Sequence, residues 1–146
     1  YVDNVTIGMA TTFNATDTNA AIVFGGTLSA GGSALTVTSD EIDFTGAGTV
    51  SGTSTLRLQP NDPTAAIKIG TAALGNPGPT DGVLDLSATD IAALSDGFSR
   101  ITIGQDTGTH AIQVGTASFN DALLIQAPGA GGTSAKSGGT TGLPSS

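Results

Sequence analysis

"SALTVTSDEIDFTGAGTVSGTSTLRLQP", residues 33–60, is built from short apolar-x-apolar triplets separated by small and polar residues. It contains the triplets Leu35-Thr36-Val37, Ile42-Asp43-Phe44 and Leu56-Arg57-Leu58. In an extended strand the outer members of such a triplet point to one face and the middle member to the other. The stretch therefore predicts an almost continuous run of short strands and turns, each strand having one apolar face.

The same triplets recur along the whole chain in two interleaved series. The first series is Val5-Thr6-Ile7, Ile22-Val23-Phe24, Ile42-Asp43-Phe44, Ile67-Lys68-Ile69, Ile101-Thr102-Ile103 and Ile112-Gln113-Val114, and the second is Leu35-Thr36-Val37, Leu56-Arg57-Leu58 and Leu84-Asp85-Leu86. Early members of the first series start 17, 20 and 25 residues apart. A unit this short cannot enclose a core alone, so neighbouring units must stack. We predict an all-β fold, a parallel β-helix (β-solenoid) with strands stacked about 4.8 Å apart.

An antiparallel β-sandwich is the alternative fold, because it also has short strands at a spacing of about 8–12 residues. The Asn-Gly and Asp-Gly pairs typical of tight hairpins occur only at Asp81-Gly82 and Asp96-Gly97. Their scarcity favours the parallel arrangement.

One segment, "SATDIAALSDG" (residues 87–97), interrupts the strand pattern. Ser87 and Asp90 have the spacing of a capping box, which predicts a short inserted helix. The apolar residues expected to cover an edge of the core are Ile91, Leu94 and Phe98.

Composition agrees with a strand-rich chain that has a hydroxyl-covered surface. Charged residues make up 11% of the chain, whereas Thr contributes 23 positions and Gly 22. No apolar run approaches the roughly 20 residues that span a bilayer, so we expect no membrane insertion. The net charge of −8 would repel nucleic acid. The absence of cysteine excludes disulfides and thiolate metal sites.

Three stretches, "TGAGTVSGTSTLRLQP", "GVLDLSATDIAALSDGFSRITIG" and "HAIQVGTASFNDALLIQAP", resemble units of very large bacterial exoproteins. These are the filamentous-haemagglutinin-like adhesins and related surface proteins of cyanobacteria and proteobacteria. The resemblance covers roughly residues 45–128, and "DIAALSDGFSRITIG" is its most specific part. It implies a right-handed parallel β-helix, export to the bacterial cell surface, and an adhesive or scaffolding role. It brings no catalytic motif.

The chain divides into a β-solenoid domain, residues 1–128, and a Gly/Ser/Thr-rich tail or linker, residues 129–146. It begins at Tyr1 without an initiator Met, so we expect a processed or internal segment. Both ends of the domain look like uncapped strands, which invite stacking by copies of the chain or adjacent repeats. The residues expected to take part in this assembly are Tyr1, Val2, Val5, Ile7, Leu123, Leu124, Ile125 and Leu143.

The sequence offers little for catalysis. His110 is the only histidine and lies in the polar turn "QDTGTH". A polysaccharide hydrolase would need two carboxylates facing each other across a groove. The candidates are Asp40, Glu41 and Asp43, or Asp81, Asp85 and Asp90. Only four basic residues, one tyrosine and no tryptophan are available to hold a sugar acid.

We therefore predict no catalytic residues and no cofactor. A module that binds surface glycans without polymerising is the first alternative to a fibre subunit, and a polysaccharide lyase or hydrolase is the second. Calcium remains an open possibility at "SDEID" (residues 39–43), because acidic clusters supply hard oxygen ligands.

Charged residues at the centres of triplets predict two ion pairs that fix the register of the strands. Asp43 with Lys68, and Arg57 with Asp85, are outward centres of successive triplets in their series. Stacked in register, each pair would contribute roughly 0.2–1 kcal/mol.

Overall fold

The computed structural model describes residues 1–73, 81–129 and 135–137, and nearly all of its regular elements are short strands. The strands are β1 (Val5–Thr6), β2 (Thr11–Asn14), β3 (Ala21–Phe24), β4 (Leu28–Ser29), β5 (Leu35–Thr38), β6 (Glu41–Phe44), β7 (Val50–Ser51), β8 (Thr55–Gln59), β9 (Ile67–Ile69), β10 (Leu84–Leu86), β11 (Arg100–Ile103), β12 (Ile112–Val114), β13 (Leu123–Ile125) and β14 (Ala135–Ser137). A 3-10 helix covers Gly70–Ala72, and one α-helix, α1, covers Ala88–Ala93. The all-β class predicted from the triplets is confirmed.

The strands pair in parallel within four sheets. Sheet 1 contains β1, β4 and β7, sheet 2 contains β2, β5, β8, β11, β13 and β14, sheet 3 contains β3 and β6, and sheet 4 contains β10, β9 and β12. Only the β13–β14 pair is antiparallel among the described strands. The chain passes through sheets 1, 2 and 3 with β1–β3 and repeats that order with β4–β6. This parallel pairing argues against the antiparallel sandwich.

Equivalent triplets stack in register, as the repeat predicts. Ile22 lies opposite Ile42 and Phe24 opposite Phe44, and Leu35 lies opposite Leu56 in the same manner. These side chains belong to one hydrophobic core that draws on all four sheets. Burial of a side chain of this size stabilises the fold by about 1.5–3 kcal/mol, so the in-register stack is its main source of stability.

Beyond Leu58 the two predicted series exchange strands, and that part of the prediction is wrong. The Leu84–Leu86 triplet pairs with Ile67–Ile69 of the first series instead of with Leu56–Leu58. Ile101–Ile103 takes the place beside β8, while Ile112–Val114 pairs with β9. The cause is that β9 pairs on one side with β12 and on the other with β10, which contacts β6. The two similar segments at 101–103 and 112–114 therefore belong to different sheets.

The predicted inserted helix is confirmed at α1. Ser87 caps it, with its side chain accepting from the Asp90 backbone while the Asp90 carboxylate accepts from the Ser87 backbone. Ile91, Leu94 and Phe98 are buried in the core, as expected. In the described ranges, no helix is long and apolar enough to cross a membrane.

The Gly/Ser/Thr-rich tail contributes β14, which pairs with the outer edge of β13. Strand β13 is thus not the open terminal strand that the sequence predicts. Leu143 lies outside the described residues.

Candidate functional site

Both predicted register ion pairs are wrong. Strand β10 lies between β6 and β9, so Lys68 has Asp85 and Gln113 as its cross-strand partners instead of Asp43. Arg57 lies opposite Thr36 and Thr102. Asp43 and Asp85 are also buried, whereas the triplet pattern placed them outward in solvent.

Arg57 instead forms an ion pair with Asp106, in the loop after β11. Its Nη2 donates to Asp106 Oδ1 at 2.9 Å, and Gln126 Nε2 donates to the same oxygen at 2.6 Å. The hydrogen bond from Arg57, followed by that from Gln126, lowers the pKa of Asp106 below its usual range. A pair this exposed contributes only about 0–1 kcal/mol, so it adds little to the choice of register.

His110 lies in the loop between β11 and β12, as the sequence predicts, and it is buried. The residue is 2% exposed, and Nδ1 donates to the carbonyl oxygen of Ala65 at 2.8 Å. Nε2 is buried and has no hydrogen-bond partner. This arrangement positions the loop that precedes β12.

The predicted assembly residues separate into two groups. At the C-terminal end, Leu123 and Ile125 are buried in the core. At the N-terminal end, Val5 and Ile7 pack partly against the core, while Tyr1 is 61% and Val2 88% exposed. Of the predicted assembly residues that the structure describes, Tyr1 and Val2, at the N-terminal end, are therefore the exposed ones.

The first strands of sheets 1, 2 and 3 lie at the edges of their sheets, and together we call them the N-terminal edge (β1, β2 and β3). The edge of β3 is occupied in part by the chain's own Tyr1. Each of these strands has one partner strand among the described residues. Thr11 of β2 donates its N–H to Ala34, and Ala15, directly after β2, donates to Thr38 of β5. The alternate residues Thr12 and Asn14 therefore direct their N–H groups to the open side. No residue of the three strands is charged or a proline. Edges without such residues are prone to pair with another strand.

Tyr1 shows how a strand can add to this edge. Its amino nitrogen donates to the carbonyl of Val23 at 2.6 Å, and its carbonyl accepts from Gly25 at 2.6 Å. These two bonds have the pattern of a parallel bridge opposite Phe24. The Tyr1 ring stacks on Phe24 with centroids 5.2 Å apart, and Phe24 stacks on Phe44 at 5.5 Å. The rings of Tyr1, Phe24 and Phe44 therefore form one stack, in which Tyr1 takes the position that a residue of a further strand beside β3 would have.

A second feature is a group of buried acids that we call the carboxyl cluster (Glu41, Asp43, Asp85 and Asp90), which the sequence analysis named as candidates in two separate groups and did not predict to be buried together. All four side chains are at most 2% exposed. Glu41 and Asp43 come from β6, Asp85 from β10 and Asp90 from α1. The triplet pattern contains two of them, Asp43 and Asp85, but only the contacts of β10 and α1 with β6 bring the four together.

Members of the carboxyl cluster differ in their hydrogen bonds. Asp90 Oδ1 accepts from the backbone of Phe44 at 2.8 Å, and Oδ2 accepts from the backbone and hydroxyl of Ser87. In contrast, both carboxyl oxygens of Asp43 and Oε2 of Glu41 are buried without a hydrogen-bond partner. An ionised carboxylate without partners is costly in such a place.

The proton affinity of these groups reflects that cost. Burial, followed by repulsion from Asp43, Asp85, Asp90 and Asp81, raises the pKa of Glu41 to about 8. Burial, followed by repulsion from Asp90, raises the pKa of Asp43 to about 6. Glu41 is therefore mostly protonated at neutral pH.

The described ranges contain no group of three histidine or acidic side chains placed as ligands for one metal ion. The acids proposed for a hydrolase also lack an open groove, because Glu41, Asp43 and Asp85 are enclosed. A shallow apolar depression of about 220 Å³ lies between α1 and residues 116–118 and carries none of them.

Comparison of the chain with protein-family models, with curated proteins and with solved structures gives no match.

Proposed function

We propose that the chain is a right-handed parallel β-solenoid that serves as a structural or adhesive unit of an extracellular bacterial surface fibre. In this proposal, copies or adjacent repeats join end to end through the N-terminal edge. The observation that carries it is the pairing of Tyr1 with β3, because it is the start of a further parallel strand on an edge that lacks charge and proline.

The solenoid and its handedness are supported by the order of the strands. β1, β2 and β3 enter three sheets in turn, and β4, β5 and β6 re-enter the same sheets as parallel neighbours. Connections between parallel strands of one sheet are right-handed in about 98% of cases. The same preference applies to each return of this chain to a sheet.

The opposite end offers a complementary surface. Strand β12 is paired only with β9 among the described strands, and Val114 is 37% exposed on it. A contact between two different ends of the same molecule does not close on itself and so generates a filament. The partner expected at the N-terminal edge is therefore the β12 end of a second copy.

The proposal is tested by blocking one backbone group on the edge. Thr12→Pro removes an N–H that faces the open side and leaves the bonds from β2 to β5 in place, since proline is tolerated on edge strands in this orientation. Thr12→Val keeps the N–H and a similar shape, and it is the matched control. We expect wild type and Thr12→Val to form concentration-dependent oligomers in sedimentation velocity, and Thr12→Pro to remain monomeric.

Two results would contradict the assembly proposal. The wild-type chain could stay monomeric at every concentration, or Thr12→Pro could polymerise as readily as Thr12→Val. A monomer that bound surface glycans without turnover would indicate the glycan-binding module, whereas glycan cleavage would indicate the lyase or hydrolase.

A further inference from the structure

The parallel stack is interrupted between β6 and β10. These two strands are in contact, yet no ladder pairing joins them among the described residues, and they belong to separate sheets. A side chain supplies one link instead, because Asp90 Oδ1 accepts from the backbone N–H of Phe44. The interruption is confined to this face, because β8 pairs with β11 and Val50 forms a bridge to Leu94 beside it. We call the contact of β6 with β10 and α1 the junction.

The carboxyl cluster lies at this junction. β6 contributes Glu41 and Asp43, β10 contributes Asp85, and α1 contributes Asp90. Asp81, which precedes β10, adds to the repulsion on Glu41.

The remaining neighbours supply little compensating charge. Lys68 on β9 lies opposite Asp85 and is the cation nearest in register. On the other side of β6, β3 presents the uncharged residues Ala21 and Val23 opposite Glu41 and Asp43. Few positive charges therefore lie near β6. Ionisation of Glu41 and Asp43 would make these two carboxylates repel each other and the carboxylates of Asp85 and Asp90 across the junction.

We propose that the carboxyl cluster is a proton-operated switch: with Glu41 and Asp43 protonated, β10 and α1 stay against β6, and when both ionise the junction opens. The switch rests on the break in the ladder and the unpartnered oxygens, and it does not depend on the fibre proposal.

The direction of the pH effect follows from proton binding. Burial raises the pKa of Glu41 from 4.5 to about 8 and that of Asp43 from 3.8 to about 6. The folded chain therefore holds more protons than the unfolded chain between pH 4.5 and about 8 at Glu41 and between pH 3.8 and about 6 at Asp43. The stability of the folded chain falls as pH rises through these two windows. The junction is closed in acid and opens between about pH 6 and pH 8.

Amide hydrogen exchange of the full chain locates the opening. Protection factors, corrected for intrinsic exchange, are compared at about pH 5 and about pH 9. We expect protection of Phe44, whose N–H is bonded across the junction to Asp90, to fall at least about tenfold more than that of β5 and β8, the change expected for one unit of pKa difference. Glu41→Gln with Asp43→Asn should abolish this selective loss. Asp96→Asn, which changes an exposed acid elsewhere, should retain it.

Several outcomes would overturn the switch. Protection could fall equally across all sheets, or the Glu41→Gln/Asp43→Asn variant could keep the selective loss. Addition of calcium at about 1 mM could restore protection at high pH, which would show that a cation and not the proton neutralises the cluster. If the double variant does not fold, Glu41→Gln alone and the wild-type profile decide the same question.

Discussion

Gly104 shows how far one residue can set the path of this chain. It follows β11 with φ +100°, a conformation that other residues rarely adopt, and a Cβ there would overlap the carbonyl oxygen of Gln126. A glycine after a strand permits a corner with positive φ, and Gly follows several of the first-series triplets. Gly70 and Gly104 have positive φ, whereas Gly8 and Gly25 do not. A sequence pattern locates the glycine, whereas only the packing of the next segment decides whether it is needed.

We predict a graded response to alanine at three glycines. Gly104→Ala should lower the free energy of unfolding by more than about 2 kcal/mol, because strain at positive φ is combined with a backbone overlap. Gly31→Ala has positive φ but open space, and should cost about 1 kcal/mol. Gly8→Ala has neither, so the expected change lies within about 1 kcal/mol of zero, with stabilisation favoured. Urea denaturation measures all three. Equal losses of stability at Gly104 and Gly8 would contradict the positive φ and the close approach of Gln126 at Gly104.

The burial of Asp43 marks the limit of prediction from single residues. The triplet pattern places it opposite the core, which is correct, but an outward position is solvent-exposed only where nothing covers it. Here the side chain is 0% exposed. Which acids become buried depends on the neighbour of β6, and no local pattern specifies that neighbour.

Helix α1 was predictable as an element because its signals are local. The capping box of Ser87 and Asp90 is encoded within four consecutive residues, and both of its hydrogen bonds form. The position of β10 was not predictable in the same way. Its triplet pattern suits either series, and no local signal specifies its pairing with β9.

We predict that the capping box stabilises the whole chain through α1. Ser87→Ala removes the hydroxyl that bonds Asp90 and should lower the free energy of unfolding by about 1 kcal/mol. Ser99→Ala, at an exposed position outside any helix, is the matched control and should change it by less than about 0.5 kcal/mol. Thermal or urea unfolding followed by circular dichroism gives both values. Indistinguishable variants would mean that α1 does not contribute to the cooperative unit.

At the scale of the whole molecule, the repeat predicted parallel stacking where strands follow one another without insertion. The triplets at Ile22 and Ile42, and those at Leu35 and Leu56, are in register as expected. The predicted ion pairs failed because they assumed the same regular order beyond β8. Stacking is determined by the apolar faces and tolerates a strand from elsewhere in the sequence, so its continuation cannot be extrapolated from spacing alone.

In-register parallel stacking around a shared core is the claim on which the fibre proposal depends, and a cross-linking measurement tests it most directly. Because the chain has no cysteine, an introduced pair is unambiguous. Thr36 lies directly opposite Arg57, and neighbouring strands about 4.8 Å apart fall within disulfide reach. Gln59 is displaced by two residues, which puts its Cα about 8 Å from that of Thr36. We predict rapid oxidation to a disulfide in Thr36→Cys/Arg57→Cys and little in Thr36→Cys/Gln59→Cys, measured by mass spectrometry. Preferential cross-linking of the second pair, or of neither, would contradict the parallel register.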